Sequence, residues 1–401
     1  MRRQILSWAV VAAVAIPMAA RAADWPNFRG LNHDGMAPDT GINKEWAAKA
    51  PELLWKAAMG DGGYAGPAAA NGMVFIVDHS GTADVVRAID LRTGSNAWTY
   101  SYADNANANY GFARATPAVD QGRVYTMSRL GVLNCLDAKS GAPVWSRNIV
   151  TELQGSLPQW QMAVSPFIDG EKLVVCPGGP DASVAALDKA TGKTVWKGGG
   201  SDKPGYSTPV AATIGGRKQY VVFNGAALVG VDAADGKLLW RLPWKTDYDV
   251  NAATPVVAGD TVFITSGYGH GCALVKASAG DASIQWQNKA LRAHFNSPIL
   301  NGGFVYGIGD EGVLVCIELK SGDTVWMQSG FEKGGVACVD GAIVAVDGKD
   351  GDVVLAEMNP AKYVELGRFK PLGGQSWTAP VVADGKLLIR NKSALACYRL
   401  K

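Results

Sequence analysis

The stretch Asp188-Lys-Ala-Thr-Gly-Lys-Thr-Val-Trp196 carries the pattern that decides the fold of this chain. An acidic residue is followed by glycine four positions later, and tryptophan comes four positions after the glycine. The complete copies are Asp90–Trp98, Asp137–Trp145, Asp188–Trp196, Asp232–Trp240 and Glu318–Trp326, and a degraded copy runs from Gly280 to Trp286. Self-similarity at a period of roughly 20–50 residues is typical of solenoids and propellers. The chain is therefore predicted to be built from repeated structural units.

Each copy reads as a hairpin turn followed by a strand. Glycine suits the left-handed backbone of a tight hairpin, and the acid can accept hydrogen bonds from amides of the turn. The tryptophan has a large apolar surface that one four-stranded sheet cannot bury alone, so neighbouring sheets must stack. We therefore assign to packing between sheets, rather than to a binding stripe, Trp98, Trp145, Trp196, Trp240, Trp286 and Trp326.

A second marker gives the number of units. A proline opens nearly every unit, since the start of a strand tolerates the missing amide donor. These prolines are Pro67, Pro117, Pro166, Pro209, Pro255, Pro298 and Pro380. One further unit lies between the last two prolines, with Ala337 in the proline position. The sequence therefore predicts eight units.

The last unit is one strand short, because Pro380–Leu388 and Ala394–Arg399 supply about three strands. Near the other end of the chain, Glu52–Lys56 copies the tryptophan-bearing strand with no unit before it. Pairing this segment with the last sheet closes a ring and leaves no open edge between the ends. We predict an all-β fold, an eight-bladed β-propeller of four-stranded antiparallel sheets over residues 52–401, closed by the N-terminal strand that completes the last blade.

The first residues resemble a targeting segment. Arg2-Arg3 precede an apolar run from Ile5 to Ala20, and Ala20-Arg21-Ala22 fits a cleavage site with small residues. We predict a signal peptide over residues 1–22 and a leader over residues 23–51, and no cysteine near the cut supports a lipid anchor. The expected mature protein is monomeric, exported to the periplasm or secreted, and has no transmembrane segment.

The charge balance argues against nucleic acid as a partner. The formal net charge of the whole chain is +2, and the predicted signal peptide holds three of the arginines. A nearly neutral mature chain without a basic cluster offers no electrostatic footprint for nucleic acid. We therefore expect a protein or small-molecule partner.

The six cysteines fit buried thiols better than a disulfide framework. Cys135, Cys316 and Cys397 occupy one small-residue position of the repeat, so they belong to different blades and cannot reach bonding distance. The other three, Cys176, Cys272 and Cys338, lie at unrelated positions, and a bridge among them stays open at this point.

The whole repeat resembles that of pyrroloquinoline-quinone-type (PQQ-like) propellers. Its form is Pro-Val-x-x-Gly-x-Val-[Phe/Tyr], followed by small-x-Asp-x-x-[Ser/Thr/Asp]-Gly-x-x-x-Trp, and the resemblance covers Glu52 to Lys401. The leader stretch Asp24–Gly30 is similar to the segment before the propeller in many exported bacterial members. Two functional branches share this fold: quinoprotein alcohol dehydrogenases, and non-catalytic propellers of the BamB type that serve outer-membrane protein assembly.

The enzyme branch implies a quinone under an adjacent Cys-Cys disulfide and over a tryptophan, beside Ca²⁺ and an aspartate base. This chain has no adjacent cysteines, and Asp249 with Asn251 falls short of the six to eight oxygens that calcium takes. The acidic run Asp347–Asp352 is interpreted as a hairpin tip rather than a calcium loop. We assign no catalytic residue, metal ligand or cofactor; PQQ and Ca²⁺ belong to the alternative reading.

One mouth of the central channel is the place where a ligand site is expected. The segments that enter the innermost strands ring this mouth, and they are rich in aromatic, amide and charged groups. The residues we select as candidate ligand-binding groups are Tyr64, Arg114, Gln161, Asn251, His294 and Trp377. The arginine suits a carboxylate, the tryptophan suits stacking, and the asparagine and histidine can donate or accept. The alternative is that these residues fill the channel and pack between blades.

The sequence thus favours an exported, non-enzymatic PQQ-like propeller that acts as a protein-binding scaffold in the cell envelope, with a role in outer-membrane protein assembly implied by the resemblance. An envelope protein is the expected partner, and a small molecule is a second possibility. The alternative function is a small PQQ-dependent alcohol or polyol dehydrogenase.

Overall fold

Eight sheets, each with four antiparallel strands, are arranged as the blades of a propeller, and the sheet of one blade carries a fifth, parallel strand from the leader. The structure is a computed structural model that describes residues 23–401, so the predicted signal peptide lies outside the described residues. The first strands of neighbouring blades contact one another around the axis, and the fourth strands lie outermost. Over residues 23–401, no helix has the length and apolar character needed to cross a membrane.

Two strands precede the repeats, namely β1 (Met36–Ala37) and β2 (Glu52–Ala58). Blades 1 to 4 then follow in chain order from the axis outwards. Their strands are β3 (Ala68–Ala70), β4 (Met73–Ser80), β5 (Ala83–Asp90) and β6 (Asn96–Ala103); β7 (Ala118–Asp120), β8 (Arg123–Met127), β9 (Val132–Asp137) and β10 (Pro143–Asn148); β11 (Phe167–Asp169), β12 (Lys172–Val175), β13 (Val184–Asp188) and β14 (Thr194–Gly198); β15 (Val210–Ile214), β16 (Arg217–Phe223), β17 (Ala227–Asp232) and β18 (Leu238–Pro243).

Blades 5 to 8 continue the same order. Their strands are β19 (Val256–Ala258), β20 (Thr261–Ser266), β21 (Gly271–Ala277) and β22 (Ala282–Asn288); β23 (Ile299–Asn301), β24 (Phe304–Ile308), β25 (Val313–Glu318) and β26 (Thr324–Ser329); β27 (Val336–Val339), β28 (Ala342–Val346), β29 (Val353–Glu357) and β30 (Glu365–Phe369); β31 (Val381–Ala383), β32 (Lys386–Arg390) and β33 (Ala394–Arg399). The described helices are short, α1 (Ile149–Glu152) and a 3₁₀ turn over Asp247–Asp249.

The repeated motif forms the predicted turn and strand, and in most blades it joins one blade to the next. In blade 2, Asp137 accepts hydrogen bonds from the amides of Lys139 and Ser140, which fixes the turn. The left-handed Gly141 lies under the ring of Trp98 from blade 1. The Nε1 of Trp98 donates to the carbonyl of Ala138 at 3.0 Å. Trp98 therefore buries its ring and satisfies its polar atom on the neighbouring blade, and Trp145, Trp286 and Trp326 donate across blades in the same way. Trp240 differs, because its Nε1 donates to Gln219 of its own blade.

The predicted closure of the ring is confirmed. Strand β2 pairs antiparallel with β33 and supplies the fourth strand of blade 8. Trp55 on β2 then makes the same contact as Trp98: its ring lies on Gly94 of blade 1, and its Nε1 donates to the Leu91 carbonyl at 2.9 Å. The first and last parts of the propeller are thus joined by strand pairing and by a tryptophan contact of the kind found between other blades.

Blade 7 departs from the repeat because it lacks the tryptophan. Gly367 takes the register position of the tryptophan, opposite Leu355 on the neighbouring strand. Trp46 of the leader occupies the space of the missing tryptophan. Its main chain and Cβ lie against Gly367, and its side chain is only 2% exposed. The Trp46 ring meets Phe369 edge-on at 5.4 Å. The leader is therefore an integral part of the packing of blade 7.

The rest of the leader crosses the axis at one end of the channel. Trp25 exchanges two backbone hydrogen bonds with Ala69 of blade 1, at 2.7 and 2.8 Å. Arg29 donates to the Pro298 carbonyl beside blade 6 at 2.8 Å. Strand β1 pairs in parallel with β27, the innermost strand of blade 7. The leader thus docks on the propeller and covers this end of the channel.

All six cysteines are buried free thiols. Cys135, Cys316 and Cys397 lie on the third strands of three blades, as the repeat predicted. The question left open for the other three is answered, since Cys176, Cys272 and Cys338 form no bridge.

Candidate functional site

The central channel is a blind well of about 360 Å³. Its floor is formed by the leader through Trp25, Phe28, Arg29 and Gly35. Its walls come from the segments that lead into the innermost strands, which the propeller topology brings together around one axis. The opposite end is open between partly exposed side chains, among them Tyr110 and Tyr268. A concave site of this volume falls within the range of ligand pockets.

Aromatic side chains surround the open end, and we call them the aromatic collar. Each ring contacts the next, with centroid separations between 4.6 and 6.2 Å. In order of contact the collar consists of Tyr64, Trp377, Phe295, His294, Tyr268, Tyr248, Trp160 and Tyr206. Separations of roughly 4.5–7 Å are those of favourable aromatic pairs. The collar is therefore a packed unit rather than a set of independent side chains.

Two basic side chains join the aromatic collar in lining the mouth of the well. Arg114 precedes blade 2 and Lys333 precedes blade 7, and both line the well. The Lys333 Nζ lies 5.9 Å from the centroid of the Trp377 ring, which is within range of a cation–π contact. Every blade therefore contributes an aromatic or a basic side chain to the mouth.

Arg114 is held in place without a carboxylate partner among the described residues. Its Nη1 donates to Gln161 Oε1 at 3.0 Å, and its Nη2 donates to the carbonyls of Asn109 and Gly111. Burial, followed by repulsion from Arg129, lowers the pKa of Arg114 to about 10. The guanidinium therefore remains charged at neutral pH while it is largely removed from water.

Gln161 supports this arginine rather than the well itself. Its Oε1 also accepts from Arg129 Nη1 at 2.7 Å, so one amide oxygen joins two guanidinium groups. Arg129 makes a bidentate pair with Asp104, both bonds being 2.7 Å long, and the two side chains are fully buried. This buried pair was missed in the sequence because its partners belong to two blades and share no spacing.

Tyr64 and Trp377 stack on each other at 4.9 Å with an angle of 26° between the rings. The Tyr64 hydroxyl donates to Gln375 Oε1 at 3.2 Å. Burial raises the pKa of Tyr64 to about 12, so the phenol stays protonated. The structure thus brings these two predicted residues together as one wall of the mouth.

His294 serves as a ring of the collar rather than as a cation. Burial, with the charge of Lys333 as a second cause, lowers the pKa of His294 to about 4. The imidazole is therefore neutral at pH 7. It lies between Tyr268 at 4.6 Å and Phe295 at 4.9 Å.

Asn251 requires a correction, because the structure places its side chain outside the well. The side chain is fully buried, and its amide donates to the carbonyls of Asn224, Gly225 and Trp244. Its Oδ1 accepts from Ser266 Oγ at 2.8 Å and from Thr246 Oγ1. The side chain points into the sheet and cross-links loops, so it has no free group for a ligand. The flanking residues 250 and 252 line the well instead.

The well is positively charged and does not fit a calcium-bound quinone. Its lining includes Arg29, Arg114 and Lys333 but no aspartate or glutamate. Calcium takes six to eight oxygens, usually with carboxylates among them. Within residues 23–401, no group of three or more His, Cys, Asp or Glu side chains is placed to hold a metal ion. In the acidic run near residue 350, Asp347 instead accepts bonds from the amides of Glu332, Lys349 and Asp350.

The closed ring of eight blades, together with the repeated acid–glycine–tryptophan motif, defines a propeller of the PQQ-repeat class. A family model described as outer membrane protein assembly factor BamB matches residues 82–328, which is more than half of the chain. The chain belongs to this family.

Individual relatives agree with this assignment. The outer membrane protein assembly factor BamB of Yersinia pestis is 24% identical over 374 residues, covering 86% of this chain and 87% of that protein. The crystal structure of BamB from Moraxella catarrhalis superposes with a TM-score of 0.64 at 18% identity, over 87% of this chain and 99% of that one. A quinohemoprotein alcohol dehydrogenase from Pseudomonas putida gives a TM-score of 0.68 at 15% identity, over 94% of this chain and 80% of that one. At such identities the two structures show a shared fold only.

Proposed function

We propose that this protein is an exported, non-enzymatic scaffold of the cell envelope that binds another envelope protein in the course of outer-membrane protein assembly. Membership of the BamB family and the relative from Yersinia pestis, similar over most of both chains, support this proposal. The observation that carries it in the structure is the aromatic collar on a rigid ring.

The collar has the composition of a protein-recognition surface. Tyrosine, tryptophan and arginine are enriched at the centres of protein interfaces. Tyr110, Tyr248 and Tyr268 are exposed large hydrophobic side chains, at 60%, 57% and 41%. Tyr110 and Tyr268 line the well, and Tyr248 packs against Tyr268. Side chains with few rotatable bonds, presented by a rigid scaffold, lose little conformational entropy when a partner binds.

Export is supported by the sequence of residues 1–22. Arg2-Arg3, the apolar run after them and the small residues at Ala20 and Ala22 have the order of a secretory signal peptide. Placement in the periplasm would bring the collar into contact with envelope proteins and their folding intermediates. N-terminal sequencing of the protein from the envelope fraction would test this, with Ala23 as the expected first residue.

Affinity purification from solubilised envelope extract tests the proposed function. The tagged mature protein is expected to recover outer-membrane assembly proteins. A triple variant with Tyr110→Ser, Tyr248→Ser and Tyr268→Ser should lose most of this recovery, because the aromatic contact area is removed from the mouth. Recovery that is unchanged by the triple variant would contradict the assignment of the mouth as the recognition surface.

A matched control lies on the outer strands of the blades. Leu53, Val195 and Val325 are exposed to a similar extent, at 50%, 52% and 42%, but they face away from the mouth. The triple variant with serine at these positions should recover the same partners as the unaltered protein. Loss of recovery in this control, and not in the mouth variant, would move the interface to the outer wall.

A PQQ-dependent dehydrogenase remains the second candidate because of the shared fold. The residues that line the well argue against a PQQ–calcium site, since they include basic side chains but no carboxylate. Reconstitution of the mature protein with PQQ and Ca²⁺, followed by absorbance and dye-reduction assays on alcohols, is expected to show neither stoichiometric uptake nor turnover. Stoichiometric uptake with turnover would establish the enzyme instead.

A further inference from the structure

We infer that the well inside the aromatic collar binds the carboxyl-terminal residue of a partner chain, with the terminal carboxylate on Arg114 and an aromatic terminal side chain among the rings. This inference deepens the proposed function and rests on it for the identity of the ligand as part of a protein.

The first step is the blind shape of the well. The leader covers its far end through Trp25 and Arg29, and the Nε and Nη2 of Arg29 donate to the carbonyls of His33, Asp34 and Pro298. A chain that enters through the collar therefore cannot pass through the ring. It must either end inside or turn back, and a turn requires two chain segments to pass through the same opening. A single chain end satisfies the geometry with one segment.

The second step is the charge inside the mouth. Arg114 is largely buried, yet its hydrogen-bond partners are one amide oxygen and two backbone carbonyls, all of them uncharged. Lys333 likewise forms no ion pair with any of residues 23–401, and its Nζ lies over the Trp377 ring. A buried cation without a counter-ion is costly, and an incoming carboxylate removes that cost while it forms charge-assisted hydrogen bonds. Planar guanidinium groups favour carboxylates in particular.

The third step is the character of the walls. Around the two cations, the aromatic side chains that line the well include Tyr64, Tyr206, Phe295 and Trp377. The rings of the collar pair with each other edge-on or stacked. The aromatic side chain of an incoming residue can contact them in the same geometries. A terminal residue with an aromatic side chain therefore gains ring contacts and a carboxylate contact at once, whereas a terminal alanine gains the carboxylate contact alone.

The direct test is isothermal titration calorimetry on the full mature protein with synthetic peptides. The probe is an acetylated peptide of alternating glycine and serine that ends in phenylalanine with a free carboxylate. Its two comparison peptides are the same sequence with a terminal amide and the same sequence ending in alanine. We expect the amide to bind about tenfold more weakly or worse, as loss of a charge-assisted pair implies, and the alanine peptide to bind measurably more weakly than the probe.

Protein variants then locate the binding. Arg114→Gln should lower the affinity for the free-acid peptide to that for the amide peptide. Lys333→Gln should lower the affinity for the free-acid peptide by a smaller factor. The matched control is Arg123→Gln, which removes a partly exposed arginine from the opposite end of the same blade. This control should leave the affinity unchanged. Because the acid and amide peptides are compared on unaltered protein, the result does not depend on the folding of any variant.

The outcomes separate this inference from the proposed function. Equal affinity of the acid and the amide, or no binding of either, overturns the chain-end site. Binding of 3-phenylpropionate as tight as that of the peptide also overturns it, in favour of a small-molecule site. If the peptides fail while assembly proteins are still recovered from envelope extract, the inference alone is wrong. If the peptides bind while no assembly protein is recovered, the proposed function alone is wrong.

Discussion

Gly141 shows at the scale of one residue why the repeat keeps glycine. Its φ is +74°, and a methyl group there would lie 2.6 Å from Cε3 of Trp98. Gly122 in the same blade has φ +75° but open space around it. Comparing an added methyl group at the two positions therefore distinguishes the cost of backbone strain from the cost of disturbing the contact between blades.

We predict that Gly122→Ala lowers the free energy of unfolding by about 1–2 kcal/mol, the cost of a left-handed alanine. Gly141→Ala should cost about 1–3 kcal/mol more, because the added methyl displaces the Trp98 ring. Urea denaturation followed by circular dichroism measures both. Equal losses for the two variants would mean that Trp98 does not dock on this turn as described.

The cysteine thiols give a second prediction at this scale. Burial raises the pKa of Cys176 and Cys397 to about 12 and that of Cys135 and Cys272 to about 11. At pH 8 these thiols are protonated, and they are also shielded from reagent. The folded protein should therefore release almost no chromophore with a disulfide exchange reagent, and all six thiols should react after unfolding in guanidinium. Rapid labelling of the folded protein would contradict this arrangement.

At the scale of the element, the leader replaces a missing part of blade 7. Trp46→Ala should lower the free energy of unfolding by about 3–5 kcal/mol, as expected for a buried tryptophan. The control in the same leader is Leu31→Ala, because Leu31 is 54% exposed and its removal should change stability by less than about 0.5 kcal/mol. Denaturation curves of both variants check this. A change below about 1 kcal/mol for Trp46→Ala would show that blade 7 packs without the leader.

The strands themselves were predictable because their signals are local. The prolines stand directly before the first strands of their blades, as Pro67 does before β3 and Pro380 before β31. Blade 7 was still counted correctly from Ala337, although its tryptophan is absent. The role of Trp46 was not predictable, since it lies outside every copy of the repeat and finds its place only through contacts distant in sequence.

At the scale of the whole molecule, the two ends of the channel are different. One is covered by the leader, and the other is surrounded by the aromatic collar and two cations. The sequence predicted which segments meet at the mouth, because the topology brings the entry of every blade to one end. It did not predict side-chain direction, so Asn251 turned into the sheet while the neighbouring Val250 and Ala252 line the well.

The claim that the mouth is the surface that recognises an envelope partner can be tested most directly by site-specific photocrosslinking in living cells. A photoreactive phenylalanine analogue is placed either at Tyr248 in the collar or at Val195 on the outer wall, two positions of similar exposure. We predict a crosslinked outer-membrane assembly protein from position 248 and none from position 195. Crosslinks from position 195 alone, or from neither position, would contradict the account.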